Sequence, residues 1–133
     1  MLLSVDLRDY MLTNPIKIKA DENLLDAMGL IIDNKVSGVC VVDTQGMLVG
    51  VLSEMDCLNA VLDATYNEGS IGCVQDYMTR DHILSAKPSD DIIDIAQDML
   101  VHKHRRRPVV ENGKLVGQIT CRQLLSAVKK FNR

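Results

Sequence analysis

Aromatic side chains are nearly missing from this 133-residue chain, which has no Trp, a single Phe (Phe131) and three Tyr. Its core must therefore be aliphatic, and few rings are available on which the bases of a single-stranded nucleic acid could stack. An excess of basic charge is missing too, since 15 Lys and Arg stand against 18 Asp and Glu for a net charge of −3. That balance excludes a general nucleic-acid binder, whose affinity rests on a cationic footprint. No apolar run approaches the roughly 20 residues that cross a bilayer. Asp6 and Arg8 interrupt the N-terminus too early for a signal-peptide core, so a cytoplasmic location is expected. The four cysteines form no C-x-x-C pair and match no zinc spacing, so no metal is expected. Cys40, Cys57 and Cys121 are read as small buried hydrophobes. No nucleophile–base pair, carboxylate dyad or P-loop is found, which argues against an enzyme.

What the chain does have is an internal repeat. Asp9-Tyr10-Met11 recurs as Asp76-Tyr77-Met78, Val41-Val42 as Val109-Val110, Leu48-Val49-Gly50 as Leu115-Val116-Gly117, and Ala60-Val61 as Ala127-Val128. Insertions and deletions between the copies fall in loops. Each copy reads as β-α-β-β-α, giving an α/β (α+β) fold. Residues 1–64 form the first repeat, 65–73 a linker, and 74–133 the second.

In the first copy, Pro15 to Lys19 alternates as a short strand. Asp21 is placed at a helix N-cap, followed by a stripe of Leu24, Leu25, Met28, Ile31 and Ile32. Gly38 to Val42 and Met47 to Leu52 form a hairpin across Asp43-Thr44-Gln45-Gly46, and Ser53 opens the closing helix. In the second copy, Ile83 to Ala86 is the strand and Pro88-Ser89 starts a helix carrying Ile92, Ile93, Ala96, Met99 and Leu100. Pro108 to Val110 and Leu115 to Ile119 flank Asn112-Gly113, a strong turn dipeptide. Thr120 then opens a helix with Leu124, Leu125 and Val128 inward. One such unit is marginal alone. The copies are therefore expected to pack sheet to sheet with pseudo-twofold symmetry, leaving clefts where small ligands bind.

The repeated D-Y-M opening, G-V-L-S-E-M-D in the first copy and R-R-P-V-V-E-N-G-K-L-V-G in the second together resemble the tandem cystathionine β-synthase (CBS) domain, or Bateman module, over essentially the whole chain. The resemblance implies a regulatory module that binds an adenine nucleotide (AMP-, ADP- or ATP-like) between its repeats. It also implies homodimerisation and signalling to an effector protein, with no required cofactor. The alternative is a ligand-free dimerisation and docking scaffold.

The candidate site follows from residues and resemblance together. Ser53 and Asp56 lie three apart at a helix start, where a carboxylate can hold ribose hydroxyls and a helix N-terminus suits phosphate. The same Ser-x-x-Asp can equally cap its own helix. Thr120 and Gln123 occupy the matching place, with a neutral amide for the acid, so two unequal sites are expected. The resemblance puts the adenine against apolar residues near Ile16, Ile18 and Ile83. It puts Gly38, Cys40 and Pro108 on the lining strands, with Cys40 standing where the family often has Pro. Arg105 or Arg106 would reach the phosphates with a planar fork. The run from His102 to Arg107 could also be merely solvated at a helix C-terminus, and Arg107 stands where the family more often has an apolar residue.

Overall fold

The computed structural model describes residues 4–131. The chain divides into two compact units, residues 16–83 and residues 1–15 with 84–133.

In the first unit the elements are β1 (Lys17–Lys19), α1 (Leu24–Asn34), β2 (Gly38–Val42), β3 (Leu48–Ser53) and α2 (Glu54–Tyr66). The sheet runs β1-β2-β3, with β1 parallel and β3 antiparallel to β2. β2 forms where the β-branched run demands a strand, and four of its five residues are buried. The hairpin closes because Asp43 Oδ1 accepts from the N–H groups of Gln45 (2.8 Å) and Met47 (2.9 Å), while Gly46 takes φ +83. α1 starts two residues later than the expected cap at Asp21. Asn23 is the cap, and its side chain accepts from Leu25 N–H at 2.7 Å. The stretch before it is occupied elsewhere: Ala20, Glu22 and Leu24 exchange backbone bonds with Gln75, Val74 and Gly72. Its buried face is Leu24, Ala27 and Ile31, whereas Leu25 and Ile32 point outward. The expected linker is thus partly structured. Thr65 and Tyr66 finish α2, and Cys73 forms an antiparallel bridge with Asn23.

The second unit contains α3 (Ile92–His102), β4 (Arg106–Glu111), β5 (Lys114–Thr120) and α4 (Cys121–Phe131). β4 and β5 pair antiparallel around Asn112 (φ 53) and Gly113 (φ 81), the two positive-φ positions that a type I′ turn requires. The strand expected at Ile83 to Ala86 shrinks to one parallel bridge, Ala86 to Val109. The physical reason is Pro108. In the first unit Cys40 N–H bonds Ile16 C=O at 3.3 Å and helps tie β1 to β2; proline at the matching place has no N–H to give. α3 is capped by Asp91 rather than by Ser89, and Ile93 and Leu100 are exposed while Ile92 and Met99 are buried. Leu125 on α4 is likewise exposed, with Leu124 packed on the core instead. Cys121 is exposed, unlike Cys40 and Cys57.

The opening segments exchange places. The 3-10 turn Leu7–Asp9 belongs to the unit of the second repeat, where Leu7 is completely buried with Ile92, Val109 and Ile119. The turn Val74–Asp76 belongs to the unit of the first, where Val74 is completely buried with Leu24, Val41 and Leu52. Each opener then pairs with a β-hairpin: Thr79 with Val51, and Leu12 with Gln118. This explains the repeated L-V-G. A Cβ on Gly50 would stand 2.7 Å from Met78 Sδ and 2.9 Å from Thr79 O; one on Gly117 would stand 2.8 Å from Leu12 O. The glycine makes room for the crossing chain.

Candidate functional site

The strand register of the first unit gathers most of its predicted site residues. Gly38 pairs with Ser53 across β2 and β3, and Cys40 pairs with Lys17 across β2 and β1. Gly38 lies so close to the neighbouring strand that a Cβ would meet Leu52 O at 2.7 Å. Ser53 ends β3 and caps α2. Its hydroxyl accepts from Asp56 N–H (3.1 Å), and Asp56 Oδ2 accepts from Ser53 N–H (2.9 Å). The cap reading of Ser-x-x-Asp is therefore realised. It does not use up the acid, because an ionised carboxylate offers about four lone-pair positions on two oxygens. Both side chains are half-buried, so they are held yet reachable.

Not every predicted residue presents a side chain to this group. Ile18 is 4% exposed and belongs to the core, and Cys40 is buried as well. Ile16 is half-buried. Its carbonyl accepts from Cys40, and Ala20 N–H donates to Val42 O, so even-numbered residues of this edge turn toward β2. The backbone of Lys17 is directed the other way, onto the open edge of the sheet. Ile83 is half-buried in the connector leading out of the unit. The bridge register makes Leu84, not Ile83, the counterpart of Ile16, because Ala86 pairs with Val109 as Ile18 does with Val41. Beside Asp56, burial together with the carboxylates of Asp56 and Glu54 pushes the Cys57 thiol up, which keeps it protonated and unreactive.

The second unit repeats the arrangement with other chemistry. Arg106 pairs with Thr120 where Gly38 pairs with Ser53. Gln123 Oε1 accepts from Thr120 N–H (2.9 Å) and from its hydroxyl (3.1 Å), and Thr120 Oγ1 accepts from Gln123 N–H (3.1 Å). Arg105 is exposed and Arg106 half-buried, while Pro108 is buried in β4.

Arg107 departs furthest from a solvated basic run. It is 2% exposed, and its guanidinium donates to Asp98 Oδ2 on α3 at 2.6 Å. A second nitrogen lies 3.5 Å from His104 Nδ1. The bond from Arg107 holds the Asp98 carboxyl below the usual carboxylate range. His102 Nδ1 sits 2.9 Å from Asp98 O. Arg107 is thus a strut between β4 and α3, which sequence reasoning missed because its partner lies nine positions back. Among the described residues, no group of three or more His, Cys, Asp or Glu could hold a metal, and no helix is long and apolar enough to cross a membrane.

Comparison with known proteins agrees with this architecture. The CBS domain model matches twice, over residues 7–63 and 74–130. The inosine-5'-monophosphate dehydrogenase of Nitrosopumilus maritimus is 37% identical over 117 residues, covering 86% of this chain and 22% of the enzyme. An uncharacterized protein of Methanocaldococcus jannaschii is 33% identical over 113 residues, covering 85% of this chain and 39% of that protein. The chain thus spans about a fifth to two-fifths of the length of these curated relatives. Among solved structures, CBSX2 in complex with AMP superposes with a TM-score of 0.84 at 31% identity, covering 98% of this chain and all of the other. CBSX2 from Arabidopsis thaliana gives 0.83 at 29%, covering 98% of each chain. With four helices and small sheets among the described residues, and a doubled β-hairpin motif matching one family model along both repeats, the chain belongs to the CBS domain family as a tandem CBS pair.

Proposed function

We propose that this CBS pair is a regulatory module that binds an adenine nucleotide and passes the resulting population shift to an effector protein. The observation that carries the reading is the head of α2, where Asp56 is fixed by its own cap and keeps acceptor capacity for ribose hydroxyls. Two further points support it. The outward backbone of Lys17 offers an N–H and a C=O suited to the donor and acceptor edge of adenine. CBSX2, similar over its full length, has been crystallised with AMP. Arg105 and Arg106 are assigned to the phosphates, and Thr120 and Gln123 form the weaker counterpart of Ser53 and Asp56.

Calorimetric titration with AMP, ADP and ATP tests this reading. Asp56→Asn loses charge-assisted hydrogen bonds of about 1.5–3 kcal/mol each, a drop of roughly tenfold to a hundred-and-fiftyfold in affinity. Equal affinities in wild type and variant sink the assignment of Asp56.

Homodimerisation is part of the proposal. Met55, Leu58, Leu62 and Tyr66 recur along α2 and are all exposed, Met55 by 75% and Tyr66 by 80%. Such a stripe favours a partner. Sedimentation at micromolar concentration is expected to show a dimer that Leu58→Glu dissociates; a wild-type monomer would refute it. The scaffold reading gains if the dimer forms while no adenosine compound binds.

A further inference from the structure

The two closing helices carry opposite charge. α2 has Glu54, Asp56 and Asp63 and no base, whereas α4 has Arg122, Lys129 and Lys130 and no acid. The contrast lies on their outward faces. On α2 the exposed stripe of Met55, Leu58, Leu62 and Tyr66 runs between two exposed acids. At about 3.6 residues per turn, Glu54 falls on one side of the stripe and Asp63 on the other. Tyr77 orients the second acid, donating its hydroxyl to Asp63 Oδ2 at 3.2 Å. On α4 the matching stripe is cationic. Leu58 keeps its counterpart in Leu125, which is 71% exposed, but Met55 and Leu62 give way to Arg122 and Lys129, both exposed.

Two copies can join these helices in three ways, and charge ranks them. α4 against α4 sets Arg122 and Lys129 of one copy against the same cations of the other, at the centre of the contact. α2 against α2 buries the most apolar surface, but it gathers the flanking acids of both copies with no base on either helix to answer them. α2 against α4 has neither fault. The stems of Arg122 and Lys129 are long enough to cover Met55 and Leu62 while their charged ends reach the acids at the borders of the stripe. Leu58 and Leu125 add apolar contact. A single exposed ion pair contributes little. Discrimination comes from the like-charge contacts that the other two pairings impose, and a twofold dimer makes each contact twice.

We infer that the outward face of α2 docks on α4 of a second copy, so that the dimer is joined α2 to α4 rather than like to like. This rests on the homodimer proposed above and specifies which helices join it. Sedimentation equilibrium of the full chain, in a salt series and with charge reversals, is the test. The wild-type dimer is expected to weaken as salt rises. Glu54→Lys with Asp63→Lys sets cations against the cations of α4, and Arg122→Glu with Lys129→Glu sets acids against the acids of α2. Each of these chains should dimerise about tenfold more weakly than wild type. The chain carrying all four reversals should regain most of the affinity. The four positions are exposed, and an unchanged far-ultraviolet circular dichroism spectrum shows that each variant is folded. A like-to-like dimer behaves otherwise, because reversing both partners of a repulsive contact leaves the repulsion as it was. A dimer that tightens with salt, or that neither pair of reversals weakens, therefore overturns the α2-to-α4 pairing and leaves the homodimer standing. A wild-type monomer at micromolar concentration removes the homodimer itself and the pairing with it.

Discussion

At the head of α2, Ser53 and Asp56 exchange side-chain and backbone bonds, and at the head of α4, Thr120 and Gln123 do the same at nearly the same distances. The helix start is therefore satisfied with or without a carboxylate. Capping explains why a hydroxyl and an acceptor recur three residues apart, but it does not explain why one copy uses an acid and the other an amide. That choice must answer to something outside the helix. The neighbouring positions change in the same direction, Met55 to Arg122 and Asp63 to Lys130. One copy has kept acceptors and the other has gathered donors on a common backbone.

The largest stability effects should come from what the copies share. Gly50→Ala and Gly117→Ala each push a methyl group into the crossing opener, against Thr79 O and Leu12 O respectively. Each should cost about 1–3 kcal/mol by overpacking. Met11 and Met78, whose sulfurs also face these sites, are flexible enough to relieve only the side-chain part of the clash. Gly29→Ala in α1 is the contrast, since nothing lies within 4 Å of its missing Cβ. It should stabilise by about 0.5–1 kcal/mol. Denaturant unfolding of the three variants checks the signs, and a neutral Gly117→Ala would mean that the opener does not seat on β5.

These glycines also show where sequence reasoning reaches and where it stops. L-V-G was visible as a repeat, yet its cause lies in a segment far along the chain, so the exchange of openers was not. β2 was placed to the residue because five β-branched or small apolar positions permit nothing else. The inner faces of α1 and α3 were drawn too wide: each included the buried residue of an adjacent pair and its exposed neighbour. Leu24-Leu25, Ile31-Ile32, Ile92-Ile93 and Met99-Leu100 are adjacent apolar pairs, and composition alone does not say which member turns inward. The starts of α1 and α3 slipped for a similar reason, several polar residues preceding each of them, whereas Ser53 caps α2 as expected. At the site, Ser53 and Asp56 were legible because local spacing defines them, and Gly38 joins them through strand register. The burial of Ile18 and the counterpart role of Leu84 depend on pairing that no local pattern carries.

A smaller effect tests the equivalence of the two caps. Ser53→Ala leaves Asp56 N–H without its acceptor and should cost about 1 kcal/mol. Thr120→Ala should cost about as much, because in each copy the side chain three residues on still accepts from the backbone N–H of the cap residue. Thermal unfolding ranks them. If Thr120→Ala proves much the more damaging, the heads of α2 and α4 are not equivalent caps, and the contrast drawn between their acid and amide loses its footing.

The smallest expected effect lies in a feature that one copy has and the other lacks, the Asp98–Arg107 pair. Asp98 is 43% exposed on its side chain, so solvent screens much of the attraction, whereas Arg107 is 2% exposed. The two partners should then respond unequally. Arg107→Met removes the buried charge and leaves Asp98 in contact with water, which should be close to neutral. Asp98→Ala strands a buried guanidinium beside His104 and should lower the thermal midpoint more. Adding Arg107→Met to Asp98→Ala should recover most of that loss. The pH dependence has a fixed sign. Arg107 holds the Asp98 carboxyl below its unfolded range, so the pair's contribution is fully present above the ordinary carboxylate range. It is lost as pH falls through the lowered folded value. Thermal midpoints at neutral pH and down through the acid range, in wild type and the three variants, read this out. Equal losses from the two single substitutions, or an acid response unchanged by Arg107→Met, would show that the pair is an ordinary surface contact and not a strut between α3 and β4.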